Sequence, residues 1–445
     1  GRYFVLFFTP LMSLFKNLKE IQPDPILNIN AIYAQDKNPS KVALGVGVYR
    51  DEDGKPWMLP CIQQAEQLIA QNLHIYNKQY PPTEGPPLFV KAAKELLFGA
   101  DHQAIRENRV ATCQSPSGAG CLHIALTVLR GCMPNSRVYI SKQTWPNHYD
   151  IYQKVFPDCA YGEYAYMVDG KLDFDQMLQD FEAAPNESIF LMQSGAHNPT
   201  GLDPTKEQWL EIKQLFKRKR HFALFDVAYQ GLVTGDLGED AFAPREFAKD
   251  MECAVAQSFD KMFGLYGESL GVCHLIHSNS SDFGVEQQTS VDQQLAQQQK
   301  LKDQSNVEQN NSLTQRIQQN MCWVVRQTWS VSPVHPAYLV GLIWDDPQLH
   351  QQFLKDIKKM SQRILEVRRR FSEILKSKKV PGDLERFQIS KGMFTWTGLN
   401  EKQIERLQQK HSVYLAMGGR MAMCALNDGN MEYVADAMKE VMEVE

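Results

Sequence analysis

Cys253-Ala254-Val255-Ala256-Gln257-Ser258-Phe259-Asp260-Lys261-Met262-Phe263-Gly264-Leu265-Tyr266 runs an apolar strand-like segment into a glycine-containing turn, with a lysine where the two meet. A solvated surface cation has no use for that position. Partial burial disfavours the ammonium form and makes the amine a nucleophile toward carbonyls. Similar apolar runs occur at 137–141, 188–194, 221–226 and 271–277, separated by amphipathic stretches such as 121–129, 205–219 and 346–371. Strands alternating with helices predict an α/β fold with a largely parallel sheet covered on both faces. Ligands of such sheets bind beyond the carboxyl ends of the strands. Gly118, Asp226 and Lys261 fall at or just after strand ends, so they are expected to converge.

Composition narrows the class. The chain has 445 residues, long enough for two domains, with 43% hydrophobic and 22% charged residues and a net charge of −5. That charge argues against nucleic acid or an anionic membrane as the main partner; an anionic small molecule must be held by locally placed cations. Nine scattered cysteines without a Cys-x-x-Cys pair read as free thiols in a reducing compartment. His274 and His277 lack an accompanying cysteine or acidic cluster and read as strand residues, so no metal site is expected. The apolar run from Tyr3 to Phe8 is too short to span a bilayer. Arg2, Lys16 and Lys19 with no acid before residue 20 resemble part of an organelle transit peptide, while Met12 equally suits a cytosolic start, so mitochondrial matrix and cytoplasm both stay open.

From about Ser361 a long charged helix, short strands and a last helix read as a second, smaller domain. Between Gln287 and Gln319 twelve glutamines stand among Asn, Ser, Lys and Asp. Such a tract buries too little apolar surface to offset its ordering entropy, so it reads as a mobile surface insertion, with a solvated helix as the alternative and partner recruitment as a role.

Several residues combine into one chemistry. Asp226 ends His221-Phe222-Ala223-Leu224-Phe225, Tyr229 follows three residues later, and Asn198 opens the turn Asn198-Pro199-Thr200-Gly201. Trp145 and His148 lie in Thr144-Trp145-Pro146-Asn147-His148, and Ser117-Gly118-Ala119-Gly120 precedes a predicted helix. Singly, each has a blander reading: a turn or cap aspartate, a core tryptophan, an ordinary β-turn. Together they supply what pyridoxal phosphate needs. Lys261 serves the aldehyde, Asp226 the ring nitrogen, Tyr229 and Asn198 the phenolic oxygen, and Trp145 the ring face. His148 orients Asp226, and the amides after Ser117 hold an anion.

With Asp24-Pro25-Ile26-Leu27, Leu44-Gly45-Val46-Gly47-Val48-Tyr49-Arg50 and Ala196-His197-Asn198-Pro199-Thr200-Gly201 added, the chain resembles the aspartate aminotransferases from Asp24 to Val444. The resemblance implies a fold type I pyridoxal-phosphate enzyme: a large domain with a mostly parallel seven-stranded sheet between helices, and a smaller α/β domain. It divides the chain into an arm (1–23), a small domain (24–57 with 360–445) and a large cofactor domain (58–359), with an insertion near 280–320. It implies transfer of the amino group between L-aspartate and 2-oxoglutarate through a Lys261 Schiff base, with Asp226 and Tyr229 assisting. Arg420 would grip the substrate α-carboxylate and Arg326 the distal one, while Gly47 belongs to a segment closing over substrate, with Trp145 and Asn198 also at the substrate. Arg326 and Tyr80 would reach the neighbouring subunit's site, implying a homodimer.

Three positions depart from the family pattern. Ser269 stands where the family has a phosphate-binding arginine, Ala119 where it has a threonine, and Asp260 where it has a serine. Ser117, Ser258, Ser269 and Tyr80 remain as neutral phosphate donors, so weaker cofactor retention is expected. Two other readings stay open: an inactive aminotransferase fold kept as a binding subunit, motivated by that site and the polar tract, and relaxed preference for aromatic substrates, motivated by Val331 and Ser332.

Overall fold

The computed structural model describes residues 13–20, 25–278 and 294–443. Most of the expected arm, and residues 280–293 of the expected insertion, lie outside them. Seven strands form the main sheet: β1 (Val110–Pro116), β2 (Val138–Ser141), β3 (Gly162–Tyr164), β4 (Ile189–Gln193), β5 (Phe222–Val227), β6 (Cys253–Ser258) and β7 (Leu270–Ile276). Their order is β1-β7-β6-β5-β4-β2-β3. Only β7 runs antiparallel to its neighbours β6 and β1; the other pairings are parallel. The expected α/β fold with a mostly parallel seven-stranded sheet is what the chain forms.

The strands are buried on both sides, and their side chains sort by the period of two. Ile189, Leu191 and Leu224 enter one core beneath α1 (Ser117–Cys132), with Leu122, Ala125 and Leu126. Phe190, Met192, Ala223 and Phe225 enter the opposite core against α2 (Lys206–Lys219), with Trp209, Ile212 and Phe216. A one-residue slip would exchange the two faces, so the register is firmly specified. Helix α2 starts at a Thr205–Gln208 capping box and ends on Lys217, Arg218 and Lys219, which complement its carbonyl terminus.

Strand β1 was not anticipated, because Val110-Ala111-Thr112-Cys113-Gln114-Ser115 shows no apolar alternation. Partners far away in sequence bury its polar side chains: Thr112 Oγ1 lies 2.9 Å from His274 Nδ1, and Gln114 Nε2 donates to the Pro333 carbonyl at 2.7 Å.

The glutamine-rich tract differs from the expected mobile insertion. From Gln294 it is helical and continuous with Thr328 in one helix, α3 (Gln294–Thr328). Met321, Val324 and Val325 anchor α3 in the core beneath the sheet. Gln318 accepts the Thr112 N–H at 2.9 Å and donates to the Thr112 carbonyl at 2.7 Å. β1 is the edge strand, so this one glutamine satisfies a backbone donor and acceptor that the sheet leaves open. Glutamine is polar enough to read as a tract residue, yet here it finishes the sheet.

A separate apolar core joins Val42 and Leu44 to Phe371, Leu375, Leu407, Val413, Met421 and Met438. The long helix α4 (Pro347–Ser377) runs from the main core into this one. Two short sheets belong here: Val42–Ala43 beside Val413–Tyr414, and Phe394–Trp396 beside Arg420–Ala422. No helix among the described residues is long and apolar enough to cross a membrane. All nine cysteines are free.

Candidate active site

Beyond the carboxyl ends of β4, β5 and β6 lies a cavity of about 290 Å³. Gly47, Ser117, Gly118, Ala119, Trp145, Asn198, Asp226, Tyr229, Ser258, Lys261, Ser269 and Arg420 line it. Of the residues singled out from sequence for this site, Tyr80, Arg326 and His148 are not among them, His148 standing behind Asp226. Tyr80 is 85% exposed. Arg326 is exposed on α3 and donates to Ser330 Oγ at 2.6 Å. Gln193, Ala228, Asp260 and Phe394 line the cavity in addition.

Asp226 sits on β5 in register with Gln193 of β4 and Ala256 of β6, which puts its carboxylate at the centre of the sheet. It accepts from His148 Nε2 at 3.0 Å, and both side chains are buried. The surrounding hydrogen bonds fix the proton on that imidazole. Gln193 Oε1 accepts the Asn198 N–H at 2.8 Å, so the glutamine's other end is its amide nitrogen. That nitrogen donates to the Asn198 carbonyl at 2.8 Å and to Thr144 Oγ1 at 3.1 Å. The Asp226 carboxylate can only accept, so a neutral His148 leaves Nδ1 as an acceptor, and the Thr144 hydroxyl, 2.7 Å away, donates to it. His148 therefore carries its proton on Nε2, aimed at Asp226. Gln193 was not singled out from sequence; its only signal is an amide closing the apolar strand Ile189-Phe190-Leu191-Met192.

Arg420 is 5% exposed. Its Nη1 donates to Asn198 Oδ1 at 2.8 Å, its Nη2 to the Gly45 carbonyl at 2.7 Å, and its guanidinium lies 4.2 Å from the Phe394 ring centroid. Its Nε is buried without a partner. A buried guanidinium on the wall of a cavity, with one N–H unpartnered, is suited to an anion. Gly47 lies against the same ring: a Cβ there would come within 2.5 Å of Phe394 Cζ. Tyr229 packs edge-on to Phe394, and burial raises its phenol well above the usual range, so it is a hydrogen-bond donor at neutral pH.

At the other end, α1 begins without a side-chain cap from Pro116. Ser117 N donates to the Ser269 carbonyl at 2.7 Å, and Ala119 N reaches Ser117 Oγ at 3.2 Å. A Cβ on Gly118 would meet Ser258 Cβ at 3.5 Å, so glycine keeps that wall open. Lys261 is a quarter exposed, and its Nζ stands 3.7 Å from Asp260 Oδ2. Asp260 Oδ1 accepts the Leu270 N–H at 2.8 Å. Burial raises the Asp260 carboxyl above its ordinary value, against the pull of Lys261.

The model of the family described as aminotransferase class I and II matches residues 39–438. The chain belongs to that family. It is 36% identical over 434 residues to the cytoplasmic aspartate aminotransferase of Saccharomyces cerevisiae, covering 97% of both chains. The solved cytoplasmic aspartate aminotransferase of Giardia lamblia is 42% identical, with a TM-score of 0.88 over 97% of this chain and 99% of that one. An aromatic-amino-acid aminotransferase from Burkholderia pseudomallei, solved covalently bound to pyridoxal phosphate, is 30% identical, with a TM-score of 0.84 over 97% and 100% of the two chains.

Pyridoxal phosphate is the cofactor of this family, and the cavity's donor set fits it. A lysine, a histidine-backed carboxylate, a phenol, an amide and an aromatic face surround one space, and serines with the first amides of α1 close its far end. Among the described lining residues, that end carries Ser117, Ser258 and Ser269, no arginine, and the carboxyl of Asp260.

Proposed function

We propose that this chain is a pyridoxal-phosphate-dependent aspartate aminotransferase, moving an amino group between L-aspartate and 2-oxoglutarate to give oxaloacetate and L-glutamate. The observation that carries the reading is the meeting of Lys261, the His148–Asp226 pair, Tyr229, Asn198 and the buried guanidinium of Arg420 around one cavity.

When bound, pyridoxal phosphate supplies an aldehyde that accepts the amino group and a ring that accepts electrons. Asp226, held by His148 Nε2, would keep a proton on the ring nitrogen. Tyr229 and Asn198 would donate to the phenolic oxygen, and Trp145 would cover the ring face. Arg420 would take the α-carboxylate and so orient the Cα–H bond. The Lys261 amine would take the proton from the substrate α-carbon as a base and give it up again as an acid in completing the transfer. The small cavity and the closely packed Gly47–Phe394 wall limit water at that step.

We further infer the division into a 58–359 cofactor domain and a small domain of 24–57 with 360–445. The active unit is read as a homodimer, in which exposed Arg326 and Tyr80 complete the partner's site. Arg326 reading a second carboxylate is what favours dicarboxylate over aromatic substrates.

The test is the visible absorption of the purified chain with added pyridoxal phosphate, before and after L-aspartate. A bound-cofactor band that aspartate shifts, and that Lys261→Ala abolishes, is the expected result. No band at saturating cofactor would overturn the reading in favour of a binding subunit.

A further inference from the structure

The sheet order assigns the two flanks of the cavity. A pyridoxal ring carries its aldehyde opposite its nitrogen, with the phenolic oxygen on one flank and the phosphate arm on the other. Asp226 is on the middle strand β5. Asn198 follows β4 on one side, tied to Arg420. Ser258 ends β6, Ser269 precedes β7 and Ser117 follows β1, all on the other side. The donor Asn198 marks the phenolic flank, so the serine flank receives the phosphate.

That flank has an unusual charge for a phosphate site. Of the charged residues lining the cavity, Arg420 belongs to the phenolic flank and Asp226 to the ring nitrogen. The serine flank keeps Lys261 and Asp260, 3.7 Å apart. A bond from Lys261 Nζ to an aldehyde would replace the ammonium that faces Asp260 by an imine nitrogen with at most one N–H to offer. The carboxyl would then keep that N–H and the Leu270 N–H as partners, on the flank where Ser117, Ser258 and Ser269 would hold the phosphate and where the described lining residues supply no arginine. Burial raises this carboxyl, against the Lys261 ammonium and the Leu270 N–H that favour its charge.

We propose that Asp260 determines which form of the cofactor the site retains, weakening its preference for the phosphorylated over the unphosphorylated vitamer so that the ring and Lys261, not the phosphate, do most of the holding. The inference rests on the reading of the cavity as a pyridoxal phosphate site. It gives a role to a residue that otherwise only opposes the cofactor: the loaded form exchanges readily, and free pyridoxal competes for the same lysine.

The full-length protein is titrated separately with pyridoxal phosphate and with pyridoxal, following the visible absorption of the bound form to obtain a dissociation constant for each. Asp260→Asn removes the charge and keeps an oxygen for the Leu270 N–H. Ser269→Arg adds a cation to the same flank. Both variants are expected to tighten pyridoxal phosphate by about ten- to a hundredfold, the range one charged contact commands, while pyridoxal changes less than about threefold. An unchanged ratio of the two constants in Asp260→Asn, or equal changes for both vitamers, would overturn the inference and leave the cofactor reading standing. If neither vitamer bound the wild type or either variant, the cofactor reading would fall with it.

Discussion

Gln193→Glu tests the hydrogen-bond chain behind Asp226, because it changes one donor nitrogen to an oxygen and little else. One oxygen of the introduced carboxyl still accepts the Asn198 N–H. The other meets the Asn198 carbonyl and Thr144 Oγ1, both of which received a hydrogen in the wild type. If the new group ionises, the Thr144 hydroxyl turns toward it and offers only lone pairs to His148 Nδ1, while Asp226 still requires the proton on Nε2. The network is satisfied only when one more proton is bound, either on the introduced carboxyl or on His148. Residue 193 is 5% exposed, and burial favours the neutral acid as well. A carboxyl with an unfolded pKa of about 4.3 that must be protonated in the native state at pH 7 costs about 1.36 kcal/mol per pH unit over about 2.7 units, or roughly 3–4 kcal/mol. The folded pKa is raised, so the native state binds more protons than the unfolded one. The variant's stability is then full below about pH 4.3 and falls relative to wild type as pH rises toward the folded pKa. Loss of the second donated bond adds about 1 kcal/mol at every pH. Urea unfolding of both proteins from pH 4 to 8 measures this: the variant's deficit relative to wild type should grow from about pH 4.5 upward, whichever of the two groups holds the extra proton. Arg420 is the cation tied to this network, through Asn198 Oδ1. If its field neutralised the new charge, the stability difference would be flat across that range, and the deduced tautomer of His148 would lose its support.

Two further outcomes follow from the geometry. Lys261→Ala and Arg326→Ala are each expected to be nearly inactive, and mixing the two after reversible dissociation should restore about a quarter of wild-type activity. Random pairing makes half the dimers hybrid, each with one site free of both changes; no recovery on mixing would mean that Arg326 serves its own subunit or none. On α3, Gln318→Leu leaves the Thr112 N–H and carbonyl of the edge strand without partners, which should cost about 2–3 kcal/mol in urea unfolding. A change under about 0.5 kcal/mol would show that water replaces those bonds freely.

What the sequence made legible, and what it hid, follows from how local each constraint is. Lys261, Asp226 and Gly118 could be placed because each falls at or just after the end of a strand-like run, and a parallel sheet gathers such ends at one edge; Asn198 and Trp145 were singled out by the chemistry they could supply there. Ser117 and Gly118 could be placed from the Ser-Gly-Ala-Gly run before a predicted helix, although two of its first amides, Ser117 N and Ala119 N, are hydrogen-bonded within the chain. The glutamine-rich tract misled for the opposite reason. Composition counts Gln318 as solvated, and only the edge of β1, some two hundred residues earlier, gives its amide a use. Gln193 and Phe394 escaped because neither carries reactive chemistry: one fixes the direction of a hydrogen-bond chain, and the other forms a wall between Gly47 and Arg420. Asp260 is the instructive intermediate case. Its position beside Lys261 could be read from the sequence, but its effect could not, because a carboxylate next to a lysine on a surface is a trivial pair. The sheet order makes it consequential: β6, β7 and β1 deliver three serines and this one acid to the same flank, while both arginines implicated in substrate binding lie elsewhere. Charge at a binding site is therefore decided by which strand ends are neighbours, a property of topology that no single stretch of residues contains.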